Sequence, residues 1–493
     1  MSGSERPGAA VCSRRERAVA LVKVLDKIAC ERYVNRLVEG GVEARSVVIR
    51  QDGREVFSRS WSPFETSHVH PLYSATKSFT SVGIGLLVGD GLVDVSQPWI
   101  SWFPEYDGAV AGEWLREATV RDLLTMTFGQ DSVPVVHGDD DWACNVLGKE
   151  ASSRPGTTFY YNSMCSHLLS LLVEKISGQS LADLLGERLF EPLGIKDWWW
   201  ERDRHGHSTG GFGLHLSTPD LASFGQCLLD QGAYGGRQVI PAEWVREATR
   251  RQVETSDAYP VAMTEDRNGY GYQFWMCAEG GFRSAGLFGQ VCYVRPEDRI
   301  VLATSCSTSG SKAVLDPFYK TLREVAAGSA GLRETTGEEG IPTLDGLAVG
   351  GVASPRLWGV HEALENYAGV SALGFSFANG ILALEIVCGR QAFSVRASFG
   401  RWLAQKDGVG GFSSFLTHDA ELDDPPAWDT TTLYACYAWE GPSTLRVRAR
   451  SLDSTRRYEM AISLDGAYAT LSYEVGGLVG TNETALVSVP LAQ

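Results

Sequence analysis

The chain is 493 residues long, 44% hydrophobic and 21% charged, a composition that excludes a disordered, fibrous or membrane-spanning protein and a length that excludes a single ordinary core. Lys and Arg number 44 against 60 Asp and Glu, a net charge of -16, the wrong sign for nucleic acid or an anionic membrane surface. The ten cysteines show no Cys-x-x-Cys or metal-type spacing and read as free thiols. No secretory apolar stretch and no run of about 18 apolar residues occurs, so the expected location is the cytoplasm.

Leu21, Val24, Leu25 and Ile28 recur at helical spacing and predict an opening amphipathic helix within residues 16–38. A hairpin follows, with Arg45–Gln51 and Arg54–Arg59 flanking Asp52-Gly53, a dipeptide suited to a tight turn. From Ser74 to about Asp230 the pattern is mainly helical, broken by an acidic stretch around Asp139-Asp-Asp141 that reads as a solvated loop. Strand patterns return at Tyr270–Met276, Gly289–Val294 and Arg299–Ser305, before a helix from about Ser311 to Ala327. Strand signals at both ends with helices between predict one α+β domain over residues 1–330, its first and last segments sharing a sheet. Residues 331–345 have the composition of a linker. Beyond them, residues 346–493 alternate in short segments such as Val370–Phe377, Leu382–Val387 and Thr444–Arg450, predicting a small β barrel or sandwich.

Three elements carry chemistry. In Tyr73-Ser74-Ala-Thr-Lys77, three residues is nearly one helical turn, so the lysine amine can approach the serine hydroxyl. Shielded from water, such an amine can lose its charge and accept the serine proton. A plain helix cap with an exposed lysine is the competing reading, and Ser309 with Lys312 repeats the spacing. The second element, Pro155-Gly-Thr-Thr-Phe-Tyr160-Tyr-Asn162, presents Tyr160 and Asn162 ahead of a helix from about Ser163. A phenol ionised beside a cationic lysine can move the Ser74 proton, and an asparagine amide can bond both lysine and a substrate carbonyl. A tyrosine packed in a core is the alternative. The third, Gly281-Phe-Arg-Ser-Ala-Gly286-Leu287-Phe-Gly289, enters an apolar strand. If that strand lies beside Ser74, the amides of Leu287 and Ser74 form an oxyanion hole; otherwise the glycines mark a bulge. His68 and His70 precede Ser74 but lack an assignable carboxylate partner, and Trp198-Trp-Trp200 reads as a loop anchor.

The order of these elements resembles the penicillin-recognising serine hydrolases, class C β-lactamase-like branch. Val120-Arg-Asp-Leu-Leu-Thr-Met-Thr, Phe190-Glu-Pro-Leu-Gly-Ile and Leu216-Ser-Thr-Pro-Asp-Leu-Ala look like that family's connecting segments, and the match spans about residues 40–325. The resemblance implies an antiparallel sheet flanked by helices with a helical lobe. It also implies acyl-enzyme chemistry without cofactor or metal: Ser74 as nucleophile, Lys77 and Tyr160 as the proton-transfer pair, Asn162 as positioning amide and Leu287 as N–H donor. Such β-lactamases carry Lys-Thr-Gly or His-x-Gly where this chain has Ser284-Ala285-Gly286, with Arg283 as the candidate replacement cation. Gly286-Leu-Phe-Gly289-Gln290 looks more like the family's esterases and amide hydrolases, including 6-aminohexanoate oligomer hydrolases. The expected activity is therefore hydrolysis of a small-molecule ester or amide. Transacylation through the same acyl-Ser74 and a β-lactam-binding sensor without turnover are the alternatives. The tail resembles the lipocalin-like β domain of some relatives and is expected to act as a lid, a stability element or the surface of a homo-oligomer.

Overall fold

The computed structural model of the chain describes residues 24–132, 141–260, 263–328, 341, 343–344, 356–366, 369–388, 391–408, 430–452, 454, 457–476 and 483–491. Strands β1 (Glu43–Gln51) and β2 (Arg54–Ser60) form the expected hairpin. Its turn residues, Asp52 and Gly53, take φ of 50° and 76°, the conformation that this dipeptide tolerates. Four later strands complete the sheet: β3 (Trp275–Met276), β4 (Phe282–Gly286), β5 (Gln290–Arg295) and β6 (Ile300–Ser307). The order is β2-β1-β6-β5-β4-β3, antiparallel throughout, with Val48 opposite Ala303. The two ends of the α+β unit thus meet in one sheet, as the strand pattern predicts.

Both faces of this sheet are covered, which is why β1 and β6 read as apolar runs rather than as alternating strands. Val47 and Ile49 point towards helices α1 (Lys27–Glu39) and α5 (Ser311–Ala326), packing with Tyr33, Phe318 and Leu322. Val48 and Ala303 point the other way, into a larger core shared with α2 (Thr76–Gly89), α3 (Ser163–Ser177) and α4 (Thr218–Leu229). The opening helix begins at Lys27; of its predicted start, residues 16–23 lie outside the described ones. The strand predicted over Tyr270–Met276 is shorter, because Tyr270 makes only isolated bridges before Trp275.

Towards the C-terminus a second, ten-stranded sheet runs from Gly359–Glu362 to Glu483–Pro490 around its own apolar core. The Leu364 N–H donates to Ser488 O at 2.9 Å, bringing its first and last strands together into a nearly closed barrel. Neighbouring strands are antiparallel except Gln391–Phe399 beside Thr430–Glu440. Most of the predicted linker lies outside the described residues, but Ile341 is buried and its N–H donates to Ser62 O at 2.8 Å. The barrel-like sheet meets the first sheet through Arg450, which bonds Glu43 at 2.9 Å, and through Arg45, whose guanidinium donates to Ser451 O and Ser454 O at 3.2 and 2.7 Å.

Candidate active site

Ser74 lies in a short 3-10 turn, Tyr73–Ala75, that runs directly into α2. The approach is anchored: His70-Pro71 pairs with Leu214–Leu216, and the Leu72 N–H donates to Leu214 O at 2.9 Å. Helix α2 is built from apolar and small residues all round its circumference, and every residue from Thr76 to Leu87 is buried. Lys77 therefore enters the interior with the helix, 1% exposed. Burial pulls its pKa down to about 7.

Three partners surround the Lys77 amine: Ser74 Oγ at 3.0 Å, Ser163 Oγ at 3.0 Å and the Gly211 carbonyl at 2.6 Å. Uncharged, Nζ has two hydrogens and one lone pair. The carbonyl can only accept, so one hydrogen points to Gly211; a second serves Ser163, leaving the lone pair for the Ser74 hydroxyl. Gly211 reaches this position because it has no side chain: a Cβ there would lie 2.5 Å from the Ser163 carbonyl.

The tyrosine beside this pair is Tyr161, not the predicted Tyr160. Its hydroxyl lies close to Ser74, and its ring centre lies 4.8 Å from Lys77 Nζ. Tyr160 instead has its N–H on Met126 O at 2.8 Å. Asn162 has extended backbone angles, φ -132° and ψ 111°, and side chains alternate where the chain is extended. Phe159 and Tyr161 pack with Tyr259, Tyr270 and Trp275. Among the described contacts Asn162 makes no hydrogen bond to the lysine. It caps α3, its side chain accepting from the Met164 N–H at 2.9 Å, and is 1% exposed. The hydroxyl next along, Ser163, takes the place beside Lys77. The sequence held a signal for this: asparagine is among the best N-caps, so placing Asn162 at the start of the helical run frees Ser163 to face inward. The phenolate expectation also changes, because burial pushes the Tyr161 phenol up and keeps it protonated.

Leu287 emerges from β4 at the site's edge, 47% exposed. The strand reaches the serine turn only through glycine: a Cβ on Gly286 would lie 2.0 Å from the Leu72 carbonyl. Among the described residues the N–H groups of Ser74 and Leu287 have no acceptor.

Arg283, the candidate replacement cation, does not reach the site. It is wholly buried, paired with Asp266 at 2.7 Å and Glu265 at 3.5 Å, and its guanidinium lies over the Trp275 ring. Ser284 is buried as well. His70 is also buried, with Nδ1 on the His68 carbonyl at 3.2 Å, and burial drives its pKa down to about 4. His68 stacks on Tyr434 of the barrel-like sheet. The tryptophan triplet anchors loops: Trp199 stacks on His215, and Trp200 Nε1 donates to Thr209 O at 3.0 Å. Asp141 caps the helix Trp142–Leu147 and accepts from Tyr106, while Asp139 and Asp140 lie outside the described residues. Among the described residues no helix is long and apolar enough to cross a membrane.

Residues 30–325 match the protein family described as Beta-lactamase. The chain is 26% identical over 332 residues to the 6-aminohexanoate-dimer hydrolase of Paenarthrobacter ureafaciens, covering 62% of this chain and 83% of that protein. It is 27% identical over 163 residues to the D-aminopeptidase of Brucella anthropi, covering 31% of each. In structure it is similar to the solved "Putative 6-aminohexanoate-dimer hydrolase from Bacillus anthracis", with a TM-score of 0.50, 20% identity and coverage of 61% and 83%.

Proposed function

This chain belongs to the beta-lactamase family and is a serine hydrolase of that fold, and we propose that it cleaves a small ester or amide through an acyl-enzyme on Ser74. The observation that carries the proposal is the dry Lys77 amine, with a pKa near 7, lying 3.0 Å from the Ser74 hydroxyl.

Ser74 Oγ attacks the substrate carbonyl carbon while its proton passes to the Lys77 lone pair. The carbonyl π electrons move to oxygen, and the oxyanion lies between the N–H groups of Ser74 and Leu287. Tyr161, kept protonated and close to Ser74, gives its proton to the departing amine or alkoxide and is reprotonated from Lys77. The C–N or C–O bond breaks and leaves acyl-Ser74. Water then attacks the ester; its proton returns to Ser74 through the same groups, and the acid leaves. Ser163 holds the amine in place, and Asn162 caps the helix that carries it.

The substrate of this proposal carries no carboxylate beside the scissile bond, because the cation of the third element, Arg283, is sealed between acidic partners. The test is steady turnover of p-nitrophenyl butyrate against the cephalosporin nitrocefin, with mass spectrometry of a fluorophosphonate adduct. An adduct on Ser74 and a clear preference for the ester support the proposal. An adduct elsewhere defeats it, and faster nitrocefin turnover defeats the substrate assignment.

A further inference from the structure

Two side chains that this mechanism leaves unused flank its two N–H donors. Tyr73 precedes Ser74, and Phe288 follows Leu287. Both have positive φ, 47° and 66°, a conformation that bulky residues adopt only when the surrounding structure imposes it. Their rings meet edge to face, 5.3 Å between centres and 73° between planes, a favourable arrangement for aromatic pairs. The carbonyl of Phe288 is held by the Thr308 N–H at 3.2 Å. On the other side of Leu287, Gly286 lies hard against the Leu72 carbonyl. The serine turn and the strand corner are therefore joined at two points, one glycine contact and one ring pair, and both donors lie between them.

We infer that Tyr73 and Phe288 form an aromatic clasp that fixes the separation and aim of the Ser74 and Leu287 N–H groups. The inference rests on the acyl-enzyme reading above. Both are positioning residues: they act through the backbone next to them and touch no reacting atom. The backbone strain at each is held by the other's ring, so truncating either ring lets the two donors drift from the geometry that the oxyanion needs. Donors misplaced by about 1 Å are worth roughly a hundredfold in rate.

The test uses the full chain with Tyr73→Leu, Phe288→Leu, the double variant, and Phe288→Tyr, which keeps the ring. The Leu variants are expected to lose about ten- to a hundredfold in kcat, with KM within about threefold. Affinity for a boronic acid that mimics the tetrahedral adduct should fall by the same factor as kcat/KM. The acid limb of the pH profile should stay in place, since Lys77 is untouched. The double variant should be little worse than either single one, because each already opens the clasp, and Phe288→Tyr should match the parent. If the Leu variants do not fold, Phe288→Met, which keeps volume without a ring, is expected to show the same kcat loss. Full kcat in Phe288→Leu or Phe288→Met, losses that multiply in the double variant, or a change in KM alone would overturn the clasp. Ser74→Ala separates the two ideas: turnover surviving in it removes the acyl-enzyme reading, whereas a dead Ser74→Ala beside a fully active Phe288→Leu removes only the clasp.

Discussion

Ser74 with Lys77 and Ser309 with Lys312 are one sequence pattern in two settings. Lys77 enters a helix that is buried on every side and meets two hydroxyls and a carbonyl, with no carboxylate bonded to it among the described residues. Lys312 opens α5, a helix with one apolar face carrying Val314, Leu315, Phe318 and Leu322, and lies on the wet side, 48% exposed and salt-bridged to Asp316. Spacing brings an amine to a hydroxyl in both places. Only desolvation takes the charge off the amine, and that depends on what the rest of the helix packs against.

The hardest test of this contrast is removal of the nucleophile. Ser74→Ala is expected to lower ester turnover by about 10⁴-fold or more and to abolish fluorophosphonate labelling. Ser309→Ala should leave both unchanged. A loss in the Ser309 variant, measured in the same assay, would reverse the assignment of the two sites.

Lys77→Met should cost roughly 10³-fold in kcat/KM, within the range of a lost general base, and Lys312→Met less than about twofold. The parent should show an acid limb near pH 7, falling about tenfold per pH unit below it, because protonated Lys77 cannot accept the serine proton. A flat profile from pH 5 to 8 would contradict a neutral amine as base. The sign for stability is the opposite of that for a paired lysine. The folded pKa of about 7 lies below the ordinary 10.5, so burying the amine penalises folding most below pH 7 and progressively less up to pH 10.5. Lys77→Met should therefore raise the melting temperature relative to the parent more at pH 6 than at pH 9.

Between the two adjacent tyrosines the expected effect is smaller. Tyr161→Phe removes the hydroxyl close to Ser74 and should lower kcat roughly a hundredfold, while Tyr160→Phe should stay within about twofold. Equal losses in both would mean that Tyr161 is not the proton carrier at Ser74.

Much of this was legible in the sequence. The hairpin, the shared sheet and Ser74 with Lys77 follow from turn chemistry, periodicity and helical pitch, all local rules. Ser163 and Tyr161 were hidden by parity: Tyr160-x-Asn162 and Tyr161-x-Ser163 have the same spacing, and one residue of phase in an extended segment exchanges every side chain between faces. Arg283 could be named as a cation from sequence, but Glu265 and Asp266 reach it from a separate turn, a tertiary fact that no local pattern contains.

The smallest effect decides what Asn162 does. Its side chain satisfies the otherwise open Met164 N–H at the start of α3 and is 1% exposed, so Asn162→Ala should cost about 1 kcal/mol of stability and less than about threefold in kcat/KM below the melting transition. Asn162→Ser keeps an oxygen acceptor and should recover most of the stability. Ser163→Ala should do the reverse, changing melting little but slowing turnover roughly tenfold, because Lys77 loses one of the two groups other than Ser74 that hold its amine. If Asn162→Ala instead lost a hundredfold in kcat/KM at an unchanged melting temperature, its amide would have to reach the substrate. That would require the segment from Phe159 to Ser163 to turn over before catalysis, and the pairing of Ser163 with Lys77 would then belong to a resting state only.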